Sequence, residues 1–301
     1  MSKQMKILLI AAASLVLIGL MIFAVTMSAI GWDFTILGTS KFETSSHEFG
    51  EEFSGISIDT DTADIVFKVS DDSACRVECY EFEKEKHTVF VQDGILCISA
   101  TNAQKWYDYI GINVDSPKIT VYIPKKDYVS LVIKESTGDV HMIDEFNFGH
   151  VSISASTGDI NIKNAVAGAM ELSVSTGNIS VSDVKIAGEL KVDLSTGKTA
   201  LTNVTCQKLT SDGNTGDIVL KNVIATEFTI ERSTGDVKLD GSDAAEIFIT
   251  TDTGDVEGSI LTEKAFTVNT DTGDVDVPDT VSGGRCEIIT DTGDIKISIQ
   301  R

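Results

Sequence analysis

A short phrase recurs along this chain at an almost constant interval, and that interval limits the fold more than any other feature. Its cleanest copy is Ser233-Thr234-Gly235-Asp236-Val237. Aligned on the glycine, copies fall at Gly138, Gly158, Gly177, Gly197, Gly216, Gly235, Gly254, Gly273 and Gly293, always 19 or 20 residues apart. A fixed period near 20 residues marks a stack of coils in which each repeat contacts its neighbours.

The residues around each glycine keep the same register. Apolar side chains stand seven and five places before it, as in Val151 and Ile153 or Phe228 and Ile230. Others stand two and four places after it, as in Ile160 and Ile162 or Val237 and Leu239. A spacing of two puts both members of a pair on one face of a β-strand. Six places after the glycine come Asp144, Asn164, Asp183, Asn203, Asn222 and Gly241, types that tolerate the left-handed backbone of a corner. One coil cannot bury its own apolar side chains, but a stack buries a continuous core. The expected fold is therefore all-β, a β-solenoid with coils of 19–20 residues. With no left-handed hexapeptide pattern present, the winding expected is that of a right-handed β-helix.

Ahead of the repeats lies a different kind of segment. Ile7 to Ile30 contains 24 residues and no charge, more than the ~20 needed to cross a bilayer and longer than the roughly 7–15 apolar residues of a signal peptide. It is read as an uncleaved transmembrane anchor over 7–30. Lys3 and Lys6 precede it and Asp33 follows it, so the positive-inside rule makes residues 1–6 a cytoplasmic stub and everything from Gly31 onward extracellular. That outer part holds 22 basic and 46 acidic residues, a net charge of −24. Nucleic acid and anionic lipid surfaces are poor partners for it, whereas cationic ligands and metal ions stay open.

Residues 31–50 read as a tether and 51–301 as the solenoid ectodomain, with irregular rungs over 51–125 and regular rungs over 126–301. Asp61-Thr62-Ala63-Asp64-Ile65 is a degenerate copy of the phrase with Ala in the glycine slot. Val89, Leu96 and Ile98 suggest a further irregular rung, and Ile119 to Ile123, stopped by Pro124, another strand. Between them, Thr101 to Pro117 forms a loop carrying Trp106, Tyr107 and Tyr109. These aromatics are either a ligand-contact loop or a cap folded onto the coils.

An apolar anchor, an irregular N-terminal third ending in a strand-Pro element, and serial Ser/Asp-Thr-Gly-Asp-Ile/Val copies together resemble the bacterial putative-adhesin family of β-strand-repeat proteins. The resemblance covers Phe53 to Gln300. It implies a β-solenoid displayed at a bacterial surface, with roles in adhesion or envelope-stress sensing. It carries no catalytic signature and supplies no binding residues for positions here.

Chemistry-bearing residues are sparse. The five cysteines are Cys75, Cys79, Cys97, Cys206 and Cys286. Cys206 and Cys286 fall in apolar columns of the repeat and read as core, and one pair among Cys75, Cys79 and Cys97 could bridge in an oxidising exterior. An odd total without metal-ligand spacing argues against a zinc site. The four histidines, His47, His87, His141 and His150, form no recognisable triad or metal motif. Lys198 and Arg232 are the rare cations of the turn column. The reading is a non-enzymatic surface protein without a required cofactor, and the alternative is a carbohydrate-active lyase or hydrolase on a β-helix.

One column does suggest a ligand. Two places before the glycine the early coils carry Ser or Asn, but the last three carry Asp. Asp252 and Asp255, Asp271 and Asp274, and Asp291 and Asp294 then bracket three consecutive turns. Stacked about 4.8 Å apart, they would gather six carboxylates into a candidate calcium site. The C-terminal end, where the chain stops soon after the strand residue Ile299, is expected to leave an open strand edge and to self-associate.

Overall fold

Strand-forming pairs and tight turns alternate along this chain, and they wind into a β-solenoid. The computed structural model describes residues 3–32, 42–71, 74–83, 86–100 and 116–300. The N-terminal unit contains one helix, α1 (Lys3–Ala29), 27 residues long. At 1.5 Å per residue it spans about 40 Å, and Gln4–Ala29 is apolar and long enough to cross a membrane.

The solenoid unit begins with seven strands that are not all in a simple stack: β1 (Phe42–Phe49), β2 (Gly55–Thr62), β3 (Asp64–Val69), β4 (Cys75–Phe82), β5 (His87–Gln92), β6 (Ile95–Ala100) and β7 (Lys118–Ile123). Each regular coil then contributes two strands. These are β8 (Asp127–Thr137) and β9 (Val140–Met142), β10 (Asn147–Thr157) and β11 (Ile160–Lys163), β12 (Val166–Thr176) and β13 (Ile179–Ile186), and β14 (Glu189–Thr196) and β15 (Thr199–Thr205). They continue with β16 (Lys208–Thr215) and β17 (Ile218–Lys221), β18 (Ile224–Thr234) and β19 (Val237–Asp240), and β20 (Asp243–Thr253) and β21 (Val256–Ile260). The last four are β22 (Lys264–Thr272), β23 (Val275–Asp276), β24 (Gly284–Thr292) and β25 (Ile295–Ile299).

Regular coils pair in parallel and in exact repeat register. Ile153 lies beside Leu172 and Ile133, and Ile160 beside Ile179 and Val140. Parallel ladders suit strands buried on the inner face only when the turns superimpose, and a constant period ensures that they do. The expected inward pairs are all buried in the coil of Gly158: Val151, Ile153, Ile160 and Ile162. Each coil also buries a third side that the pairs did not reveal. In the same coil Phe148 and Ala165 complete it, and Ala155 fills the space next to the turn. From Asn164 onward the corner column behaves as expected: Asn164, Asp183, Asn203, Asn222 and Gly241 all have φ between +51° and +59°. Asp144 does not take that conformation, and its Oδ2 instead accepts the Val69 N–H at 2.9 Å.

Both ends depart from chain order. β2 pairs in parallel with both β6 and β8, and β3 with both β7 and β9. The coil that comes first in sequence is thus sandwiched between the second and the third. The same exchange occurs at the other end. β24 lies between β20 and β22, and β25 between β21 and β23. The open strand edge expected near Ile299 is there on one side only: β25 pairs with β21 along its whole length but with β23 only at Ile295 and Lys296, and the terminal coil is β22 with β23. At the N-terminal end β5 pairs antiparallel with β6, and β4 antiparallel with β7 and with β1. Those antiparallel strands close that end. The tether expected over 31–50 accordingly stops short, since 42–49 is strand.

Candidate functional site

The turn column carries the candidate cation site, and its geometry explains its residues without a ligand. Gly235 has φ +144°, and a Cβ built on it would stand 2.2 Å from the carbonyl oxygen of Gly216. From Gly138 to Gly293 each glycine turn rests so closely on its neighbour in the stack that a Cβ would overlap that neighbour's carbonyl oxygen, which leaves room only for glycine. The Asp that follows each glycine forms a second ladder. Asp139 Oδ1 accepts the N–H of Asp159 at 2.8 Å, Asp159 Oδ1 that of Asn178 at 2.7 Å, and Asp217 Oδ1 that of Asp236 at 3.1 Å. Asn178 Oδ1 accepts from the Lys198 N–H at 3.1 Å, and there the ladder breaks because a lysine side chain has no acceptor.

Among the six aspartates expected to form a calcium patch, the ladder runs from Asp255 to Asp294 and then to Asp274, at 2.8 and 2.9 Å. The stacked order is Asp252/Asp255, Asp291/Asp294, Asp271/Asp274, so the consecutive order expected from the sequence is corrected. Lys296 Nζ holds Asp294 Oδ2 at 2.6 Å, and this ion pair, followed by the Asp274 N–H, lowers the Asp294 pKa. Among the described residues, the one group of three His, Cys, Asp or Glu side chains with ligand atoms within 4.8 Å of one another is Cys79, Glu81 and His87. The six aspartates do not converge in that way.

Trp106, Tyr107 and Tyr109 lie outside the described residues. Near the start of the regular coils runs an open groove of about 570 Å³, with Phe146 and Val166 in its wall and Lys125, Glu145, Asn164 and Lys185 around it. The Lys125–Glu145 ion pair, 2.7 Å, crosses one side. Phe146 is buried and Val166 exposed, so the groove offers a small apolar floor edged by charged and amide groups, a surface that polar ligands can use.

The solenoid interior holds polar groups that sequence patterns missed. Arg232, expected in the turn column, points inward instead and is 5% exposed. Its guanidinium donates to Ser211 Oγ at 2.7 Å and occupies space left by Gly213, where a Cβ would come within 2.2 Å of it. Burial lowers its pKa to about 10 despite Asp212 and Asp193 nearby. Lys264 is buried against Asp243 Oδ1 at 2.7 Å and also donates to Thr262 Oγ1. Glu135 receives the Ala63 N–H at 3.2 Å on Oε1, while its Oε2 is buried without a hydrogen-bond partner. Burial is the main cause that pushes its pKa up to about 8.

The densest polar cluster sits in the N-terminal cap. Glu81, Thr60 and His87 are 1%, 3% and 7% exposed. His87 Nδ1 is 2.9 Å from Glu81 Oε2, and His87 Nε2 is 2.9 Å from Thr60 Oγ1. Ser45 Oγ donates to Glu81 Oε1 at 2.8 Å. Hydroxyl, imidazole and carboxylate thus stand in the order of a nucleophile, base and orienting acid. A triad of that kind must meet a substrate, and these side chains are enclosed. Beside them Cys79 is pushed up to about 12 by burial, with Glu81 adding to the rise. The signal for this cluster was Cys79 and Glu81 two apart on one strand, with His87 at the start of the next. Spacing rules for zinc motifs do not include it.

No pair among Cys75, Cys79 and Cys97 is bridged: all five cysteines are free thiols. Cys75 and Cys79 are four residues apart on one strand, so their Cα atoms are about 13 Å apart, too far for a bridge. Cys97 alternates with the buried Leu96 and Ile98 on β6 and so faces away from the interior.

Comparison with known proteins agrees with this architecture. No curated protein matches the sequence. A Parabacteroides distasonis protein described as a putative lipid binding protein matches in structure with TM-score 0.53 and 15% identity, covering 87% of this chain and 98% of its own. A putative adhesin from Parabacteroides merdae matches with TM-score 0.52 and 15% identity over the same shares. At that identity the likeness shows the fold. The model of the Toastrack DUF4097 family matches residues 53–218 and 207–301.

Proposed function

The chain belongs to the Toastrack DUF4097 family, and on that premise we propose that it is a membrane-anchored, outward-facing β-solenoid with a non-enzymatic role in binding, adhesion or envelope sensing. The carrying observation is that one chain holds both an apolar helix long enough to cross a membrane, α1, and, among the described residues, a stack of 25 hydrogen-bonded strands. Lys3 and Lys6, at the start of α1 and ahead of its uncharged stretch, orient the solenoid outward. Neighbours of the same fold described as adhesin and lipid binding protein support a surface role. The groove over Phe146 and the acidic turns are the two surfaces we assign to ligands, the second favouring cationic groups such as calcium.

The test uses the full chain with a C-terminal epitope. Protease added to intact cells should remove the epitope, and full protection would overturn the orientation. Purified protein should bind envelope polysaccharide without shortening it. Time-dependent release of new saccharide ends would replace this reading with that of a carbohydrate-active enzyme.

A further inference from the structure

Cys79 and Glu81 are two residues apart on β4, so both side chains leave the strand on its inner face, where both are buried. His87 opens β5 and meets them there. One ligand atom from each of the three lies within 4.8 Å of the other two. The His87 backbone N–H and Nδ1 both address Glu81 Oε2, at 2.7 and 2.9 Å. Around this trio stands an outer ring that is already placed. Ser45 Oγ holds the other Glu81 oxygen at 2.8 Å, and Thr60 Oγ1 holds the other imidazole nitrogen at 2.9 Å.

We propose that Cys79, Glu81 and His87 form a zinc site that bolts the N-terminal cap together. Thiolate, carboxylate and imidazole are the donor types zinc takes, and the sulfur selects against calcium and magnesium. Tetrahedral zinc, with bonds of about 2.0–2.3 Å, spaces its ligand atoms roughly 3.3–3.8 Å apart. The His87 Nδ1–Glu81 Oε2 distance, 2.9 Å, is somewhat shorter than that spacing, and one ligand atom of each residue lies within 4.8 Å of the others, so small side-chain shifts would reach it. On binding, the Cys79 proton leaves to solvent. The imidazole proton moves to Nε2, where Thr60 Oγ1 accepts it, and Nδ1 gives its lone pair to the metal. One thiolate and one carboxylate then balance the two positive charges of the ion, which suits a dry interior. A water completes the coordination. The metal would join β4 to β5, while Ser45 and Thr60 tie the same ligands to β1 and β2.

The experiment uses the full chain in detergent, reduced and stripped of metal, with cobalt(II) as a visible substitute for zinc. Titration should saturate near one equivalent and produce both a thiolate-to-cobalt charge-transfer band and the intense visible bands of a tetrahedral site. Cys79→Ser should abolish the charge-transfer band, and Cys75→Ser and Cys97→Ser should leave it. Thr60→Val should retain the band but weaken binding about 10–100-fold. Zinc should also slow alkylation of Cys79 in the unmodified protein, read by peptide mass spectrometry, a measurement that requires no variant to fold. Absence of the band, its survival in Cys79→Ser, or alkylation of Cys79 unaffected by zinc would each overturn the site.

Discussion

Oδ1 of Asp255 accepts the backbone N–H of Asp294 at 2.8 Å, across 39 residues of sequence, where a stack in chain order would give it Asp274. Two periods separate these residues because the last coil is wedged beneath the one before it. Removing residues 284–301 should therefore cost two interfaces rather than one. Cys286, Ile288, Ile295 and Ile297 are buried there, and at about 1.5–3 kcal/mol each their loss amounts to roughly 6 kcal/mol or more. Excising one internal period, Asp217 to Gly235, should instead leave a folded, shorter stack. Thermal melts of the two deletions check this, and equal damage from both would contradict the arrangement.

Gly235→Ala should be among the most damaging small substitutions in the chain. It combines φ +144° with a Cβ 2.2 Å from the Gly216 oxygen, strain and overlap worth about 3 kcal/mol or more. Asn203→Gly, at φ +54°, should change stability by no more than about 1 kcal/mol, because glycine accepts that conformation. Denaturant midpoints of the two variants make the comparison.

Glu135 gives the protein a pH signature. Burial raises its pKa from 4.5 to about 8, so the folded state keeps a proton that the unfolded chain gives up. The group's contribution is fully present below about pH 4.5 and is lost as pH rises through about 8, following the linkage of stability to proton uptake. Glu135→Gln should thus stabilise the fold by a few kcal/mol at pH 8 and have little effect at pH 4. Denaturation at both pH values reads the difference. An equal effect at the two would show that Glu135 does not hold a proton in the folded state.

The acidic turns can be tested as a charge patch. Changing Asp252, Asp271 and Asp291 together to Ser should raise the melting temperature at low salt, and added salt should shrink that gain. If calcium occupies the patch, it should raise the melting point of the parent and leave the triple variant unmoved. A parent melting point identical in calcium and in chelator would remove calcium from this surface.

Self-association, expected at the C-terminal end, is now assigned to the outer edge of β22 and β23. Val275, 46% exposed on that coil, sits where a second copy would dock. Val275→Lys should weaken any dimer, since a charge on an edge strand opposes pairing. Sedimentation that finds only monomer at high concentration would end this idea.

How much of this was legible beforehand follows from what a periodic sequence can encode. The spacing of Val151 and Ile153 before Gly158, and of Ile160 and Ile162 after it, specifies which side chains turn inward, because alternation and a constant period are local properties. The left-handed corners at Asn164 and Asn203 follow from residue type, and the span of α1 from length and apolarity. The resemblance to a surface-repeat family agreed with the Toastrack match for the same local reasons.

Neighbour choice is not local. Ile288 offers the same apolar face whether it stacks on Val268, on Ile249 or on both, so nothing in the repeat distinguishes chain order from the exchange seen at both ends. Likewise Cys79, Glu81, His87, Thr60 and Ser45 come from four strands spread over more than 40 residues of sequence. Each alone reads as an ordinary strand residue. Only the antiparallel closure of the N-terminal end, which carries β1, β4 and β5 against the first coils, brings them into one buried cluster.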